Sequence, residues 1–182
     1  MERRIAILTG DRGAGKTVTC QGLLDRGREL GLDVAGIFCP SRFEGGVKVG
    51  IDLVDARTGV RCQLAEIDDL PGELRLGPHR FDPETLDWGA ARIAAGCPCD
   101  VLIVDEIGPL EMRGEGWAVA IEVLRRDPYR LAVAVVRPSL VDAFRAAVGT
   151  ASAAAARCVE PGPRAVAELL AMFESGSAPR PE

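Results

Sequence analysis

Gly10-Asp11-Arg12-Gly13-Ala14-Gly15-Lys16-Thr17 follows a short apolar run, Ile5-Ala6-Ile7-Leu8, and opens a helix-forming stretch that reaches about Leu30. A strand, a glycine-rich loop and a helix in that order make a phosphate-binding P-loop. Glycines let the chain curl until successive backbone N–H groups point at one spot. That spot is also the positive end of the helix dipole, so it attracts a β-phosphate. The Lys16 ammonium reaches the β- and γ-phosphates, and the Thr17 hydroxyl is placed to ligate Mg²⁺. Gly10 to Thr17, with the next residue Val18, form the candidate nucleotide-binding set. The loop reads phosphates and not bases. No Asn/Thr-Lys-x-Asp motif for guanine is present, so ATP, GTP, CTP and UTP are all expected as substrates.

Composition supports this placement. Of 22 basic residues only Lys16 and Lys48 are lysines. A chain that otherwise uses arginine keeps a compact point charge at the loop, where a planar guanidinium would bind differently. Hydrophobic residues make up 47% of the 182, enough for a sizeable core and too many for a largely disordered chain. A net charge of −5 argues against a dedicated nucleic-acid binder. No apolar run approaches the roughly 18 residues that span a bilayer, and Ile5 to Leu8 is too short for a signal-peptide core. The chain is therefore expected in the cytoplasm, with no membrane association. The six cysteines are scattered, and Cys97-Pro98-Cys99 lacks zinc-ligand spacing, so they read as small core residues.

Working outward, the first helix runs from Lys16 to Leu30 with Gly31 beyond its end. Val34 to Cys39 reads as a second buried strand. Val47 to Val54 and Gly59 to Leu64 read as a hairpin turned at Asp55-Ala56-Arg57-Thr58. Glu66 to Arg80, with its Pro, Gly and charges, reads as a loop. Asp82 and Pro83 start a helix to Ala95. Val101 to Val104 is a central strand. A helix from Glu115 to Arg126 and a strand from Leu131 to Val136 follow. Ser139 caps a short helix to Val148. Arg157 to Glu160 reads as a last strand and Pro163 to Phe173 as a last helix. Alternation of this kind predicts an α/β fold, a mostly parallel sheet flanked by helices, with an inserted antiparallel hairpin. Ligands bind at the carboxyl ends of such strands, which gathers the P-loop and the loops after Val104 and Val136.

Val101-Leu102-Ile103-Val104-Asp105-Glu106 reads as a Walker B segment. The apolar strand delivers Asp105, whose carboxylate suits Mg²⁺ as a second metal group beside Thr17. Glu106 is the candidate general base or water-positioner. Arg137 follows the apolar run Leu131 to Val136. It either neutralises transition-state charge, if its strand lies beside the P-loop strand, or is a surface arginine before Pro138. Arg113 and Arg12 are weaker candidates for that role, Arg12 lying at a variable P-loop position where it either contributes or only points to solvent. Glu111 either helps organise the metal site or is merely exposed. The stretch from Arg75 to Phe81 either closes over a base or sugar or is an ordinary loop, with His79 a surface residue.

The strings Thr9 to Thr17, Ala35-Gly36-Ile37-Phe38, Gly50-Ile51-Asp52-Leu53-Val54 and, most specifically, Val104-Asp105-Glu106-Ile107-Gly108-Pro109-Leu110-Glu111 resemble the small P-loop nucleoside-triphosphatases of thermophilic prokaryotes and the animal cancer-related nucleoside-triphosphatase. The resemblance covers nearly the whole chain except its end. It implies a RecA-like P-loop domain over residues 1–174, followed by a flexible tail at 175–182. It also implies Mg²⁺-dependent hydrolysis of several NTPs to NDP and phosphate, and the family's P-loop and Asp-Glu residues carry over onto Gly10 to Thr17, Asp105 and Glu106. With the residue-level reading, Lys16, Glu106 and Arg137 are the candidate catalytic residues. Two other readings share the motifs. One is a small nucleoside or nucleotide kinase. The other is a slow nucleotide-dependent switch acting on a protein partner.

Overall fold

The computed structural model describes residues 3–67, 75–149 and 156–175. Of the Ala-rich stretch from Ala151 to Ala156 only Ala156 is described, and most of the expected tail, 176–182, lies outside the described residues. The first strand, β1 (Arg4–Leu8), leads through the P-loop into α1 (Lys16–Glu29). Then come β2 (Val34–Phe38), β3 (Ser41–Glu44), β4 (Val47–Asp55), β5 (Arg61–Ile67), β6 (Arg75–Leu76) and β7 (His79–Phe81). The second half holds α2 (Pro83–Ala94), β8 (Cys99–Ile107), α3 (Val119–Arg126), β9 (Tyr129–Val136), α4 (Val141–Val148), β10 (Ala156–Val159) and α5 (Ala165–Glu174). Among the described residues these strands make one sheet in the order β10-β1-β9-β8-β2-β4-β5-β7-β6, with β3 paired to β4. The strands from β10 to β2 run parallel, and β2 meets β4 antiparallel. No helix among the described residues is long and apolar enough to cross a membrane.

The parallel strands β1, β2, β8 and β9 are largely apolar because both of their faces are covered, whereas the edge strand β10 is buried only at Ala156 and Val159. Ala6, Leu8, Val101, Ile103, Leu131, Val133 and Val135 join a core with Leu23 and Leu24 of α1 and Leu169 and Phe173 of α5. The alternate residues Ile5, Ile7, Leu102, Val104, Ala132, Ala134 and Val136 pack with Ile93 of α2, Leu124 of α3 and Phe144 of α4. This period of two fixes each strand's register, since a one-residue slip would turn every side chain to the opposite layer. Gly36 in β2 shows how closely strands approach. It has φ +94°, and a Cβ there would lie 2.0 Å from the Ile103 carbonyl oxygen.

Three expectations need correction. The inserted hairpin is present as β4–β5, but β3, β6 and β7 extend it into five antiparallel strands. Within the predicted loop, β7 pairs with the end of β5 and β6 with β7. Their pairing is set by main-chain bonds and cross-strand ions such as Arg80–Glu66 at 3.0 Å, so no apolar alternation betrayed them. The third helix begins at Val119 and not Glu115, because Gly114 and Gly116 adopt φ +84° and +55° and the Glu111 carboxylate takes the Trp117 N–H. Ser139 lies in a 3-10 turn, Pro138–Leu140, that precedes α4 and provides no side-chain cap.

Candidate active site

The P-loop is shaped as its glycines allow. Gly15 takes φ +91° at the start of α1, and the first turn of that helix has neither a side-chain cap nor an acidic residue. Its free N–H groups are therefore left for an external anion. The Lys16 Nζ donates to the carbonyls of Gly10 (2.7 Å) and Asp11 (2.8 Å), which holds the ammonium across the loop. Asp11, Arg12, Gly13 and Ala14 are exposed along it, and Val18 is 75% exposed on the adjoining turn of α1.

β8 lies two strands from β1, with β9 between them, so Asp105 emerges across the mouth of the P-loop. The Thr17 Oγ1 donates to Asp105 Oδ2 at 2.9 Å, and the Cys39 N–H donates to the same oxygen at 3.2 Å. The Cys39 thiol donates to the Asp105 carbonyl at 2.8 Å. Asp105 is 3% exposed. Burial pushes its carboxyl up to about 6, against the pull of the Cys39 and Thr17 hydrogen bonds and of Lys16. A buried, costly carboxylate joined to a hydroxyl offers hard oxygen donors, which fits Mg²⁺ completed by phosphate and water oxygens.

The pairing of β8 with β9 shifts after Asp105, so that Asp105 faces Val135 while Ile107 faces Val136. Glu106 falls at the bulge and turns away from Asp105's core position. Its Oε1 accepts from the Arg137 Nε at 2.6 Å. Arg137 leaves the end of β9, and β9 runs parallel to the P-loop strand β1. The structure therefore brings Lys16, Thr17, Asp105, Glu106 and Arg137 to the carboxyl edge of three neighbouring strands.

Glu111 is buried and committed to the backbone. Its Oε2 accepts the Gly108 N–H at 2.8 Å and its Oε1 the Trp117 N–H at 3.1 Å. The Trp117 Nε1 then donates to the Leu86 carbonyl of α2 at 3.0 Å. This brace fixes the loop that follows Glu106. Arg113 is exposed, with Glu115 at 3.7 Å. The Arg75–Phe81 stretch is the β6–β7 hairpin, and His79 is buried in it, contrary to the expected surface position. Cys39, whose N–H and thiol both donate to Asp105, is a site residue that motif reading missed.

Residues 5–152 match the family model described as NTPase. The nucleoside-triphosphatase THEP1 of Ignicoccus hospitalis is 36% identical over 106 residues, 58% of this chain and 60% of that protein. That of Methanopyrus kandleri is 35% identical over 116 residues, covering 63% of each. That of Pyrococcus abyssi is 30% identical over 140 residues, covering 76% of each. The first two alignments thus span about three fifths of the relatives' length. The solution structure of a human cancer-related nucleoside triphosphatase superposes with a TM-score of 0.72 at 19% identity, covering 99% of this chain and all of that one, which shows a common fold. With the P-loop, the Asp105–Glu106 strand end and the sheet order on the same chain, the match over 5–152 has one consequence: this chain belongs to the NTPase family.

Proposed function

We propose that the protein hydrolyses nucleoside 5′-triphosphates to nucleoside diphosphate and phosphate, with Mg²⁺ and with little preference among bases. The observation that carries this reading is the Thr17–Asp105 bond at 2.9 Å with Glu106 alongside, paired to Arg137. It sets two hard oxygen donors and a candidate base at the end of one helix. The N-terminus of α1 and Lys16 bind the β- and γ-phosphates. Thr17 and Asp105 would hold Mg²⁺, which when bound neutralises phosphate charge. Glu106 orients a water and takes its proton as the oxygen attacks the γ-phosphorus. The bond to the β-phosphate oxygen breaks, and NDP and phosphate leave. Arg137 meets the charge that develops as that bond breaks. The proteins named nucleoside-triphosphatase among the relatives support hydrolysis as the reaction. Broad base use rests on the P-loop, which touches phosphate alone.

Glu106→Gln tests the assignment. It keeps shape, Asp105 and Thr17, so Mg²⁺ and NTP still bind. Phosphate release should fall by about 10² to 10⁴, the usual worth of a general base. Release near the wild-type rate would remove Glu106 from this role. Phosphoryl transfer to an added acceptor, with none to water, would replace hydrolase by kinase.

A further inference from the structure

A triphosphate bound as above has a direction along the carboxyl edge of the sheet. Glu106 lies near the end of β8 and Arg137 follows β9, both on one side of the P-loop strand β1. With the γ-phosphate on that side and the β-phosphate at the N-terminus of α1, the α-phosphate and nucleoside leave on the other. That other side belongs to β10, which pairs with β1 in parallel from Ile5↔Ala156 to Leu8↔Val159. The Thr9 N–H donates to the Val159 carbonyl at 3.1 Å, so the chain leaves β10 alongside the P-loop. The two loops pack closely there: a Cβ on Gly10 would lie 3.2 Å from Cγ and Cδ of Pro161.

From Gly162, the next residue, a cavity of about 500 Å³ opens between β10 and α5, lined among others by Cys158, Glu160, Arg164 and Glu168. Its size is that of a small-molecule site, roughly 300–1,000 Å³. Glu168 is engaged by Arg157 at 3.3 Å and Cys158 by Arg145 at 3.4 Å. Glu160 and Arg164 are exposed on the cavity wall, and neither has a side-chain partner among the described residues. Two carboxylates, Glu160 and Glu168, make the cavity unfavourable for a further phosphate and suit a neutral group that carries hydroxyl donors. Resting on the phosphate placement of the hydrolysis reading, we propose that this β10–α5 cleft is the nucleoside subsite: the Arg164 guanidinium stacks on the base, and the Glu160 carboxylate accepts from the ribose hydroxyls. Every base offers a π-face to a planar guanidinium, so this contact holds the base without reading its edge. The sugar contact does discriminate, because a 2′-deoxyribose has one donor fewer for the carboxylate.

The test is calorimetric titration of ADP, 2′-deoxy-ADP and pyrophosphate into wild type, Arg164→Ala and Glu160→Ala, each checked for folding by circular dichroism and melting. Pyrophosphate reports the P-loop alone. Arg164→Ala should weaken ADP about tenfold and leave pyrophosphate unchanged, and GDP, CDP and UDP should lose as much as ADP. Wild type should prefer ADP to 2′-deoxy-ADP by about fivefold or more, and Glu160→Ala should erase that preference. Either loss supports a nucleoside seated in the cleft. The proposal is overturned if wild type binds ADP no more tightly than pyrophosphate, or if both folded variants bind ADP as wild type does. It is equally overturned if the variants weaken pyrophosphate as much as ADP, since the loss would then act through the P-loop. No turnover occurs in these titrations. Absent phosphate release from NTPs, with these binding results intact, would fault the hydrolysis reading and not the subsite.

Discussion

Asp105→Asn should stabilise the nucleotide-free protein while removing its activity. The carboxylate is 3% exposed. Burial lifts its carboxyl from the ordinary 3.8 to about 6. The ionised group therefore costs about 3 kcal/mol more in the folded chain than in the unfolded one. Between those two values the folded chain holds a proton that the unfolded chain has shed. This contribution to stability accordingly falls as pH rises from about 4 to 6, and stays low above. An amide has no ion to desolvate, and its oxygen accepts the same bonds from Thr17 and Cys39. At about pH 7.5 the variant should be more stable by about 2–3 kcal/mol, a rise in Tm of about 5–10 °C for a chain of this size. Near pH 4.5 the difference should shrink below about 1 kcal/mol. Thermal melts of both proteins at the two pH values, at one ionic strength, measure this. Added Mg²⁺ and NTP should raise the Tm of wild type and not of the variant. A variant no more stable than wild type at neutral pH, or an advantage that persists in acid, would refute the reasoning.

Arg137→Ala should lower kcat more than it raises KM, because a group that meets transition-state charge spares ground-state binding. Unchanged steady-state kinetics would leave Arg137 as a partly exposed ion pair with Glu106. Glu111→Ala leaves the buried N–H groups of Gly108 and Trp117 without their acceptor, so chemical denaturation should show a loss of about 2–4 kcal/mol. Phosphate release should fall as well, since the loop after Glu106 loses its brace. An unaltered denaturation midpoint would contradict the brace.

The parts of the site that rest on contiguous sequence were legible from it. The P-loop is written in glycines at fixed offsets, and Asp105 follows an apolar run that could only be a strand buried on both faces. The parallel strands β1, β2, β8 and β9 were readable for the same reason. β3, β6 and β7 were not, because strands in an antiparallel extension carry polar residues on one face and draw their order from partners far along the chain. Glu106 and Arg137 meet across 31 positions, and Cys39 reaches Asp105 across 66. Each residue's type was visible, but the pairing depends on sheet order. His79 read as a surface loop residue because nothing local showed that β7 would add to β5 and bury it. Glu111 read as either a helper at the metal site or an exposed acid, whereas it accepts two backbone N–H groups.

The most direct test of the account is phosphate release from ATP, GTP, CTP and UTP by wild type and Lys16→Ala, with and without Mg²⁺. Lys16 spans the P-loop and supports no core contact, so the variant should fold. Wild type should release phosphate from all four with Mg²⁺, with rates that differ by less than about a hundredfold. Release should vanish without the metal and in Lys16→Ala. Metal-independent release, or near-normal turnover by folded Lys16→Ala protein, would contradict the account.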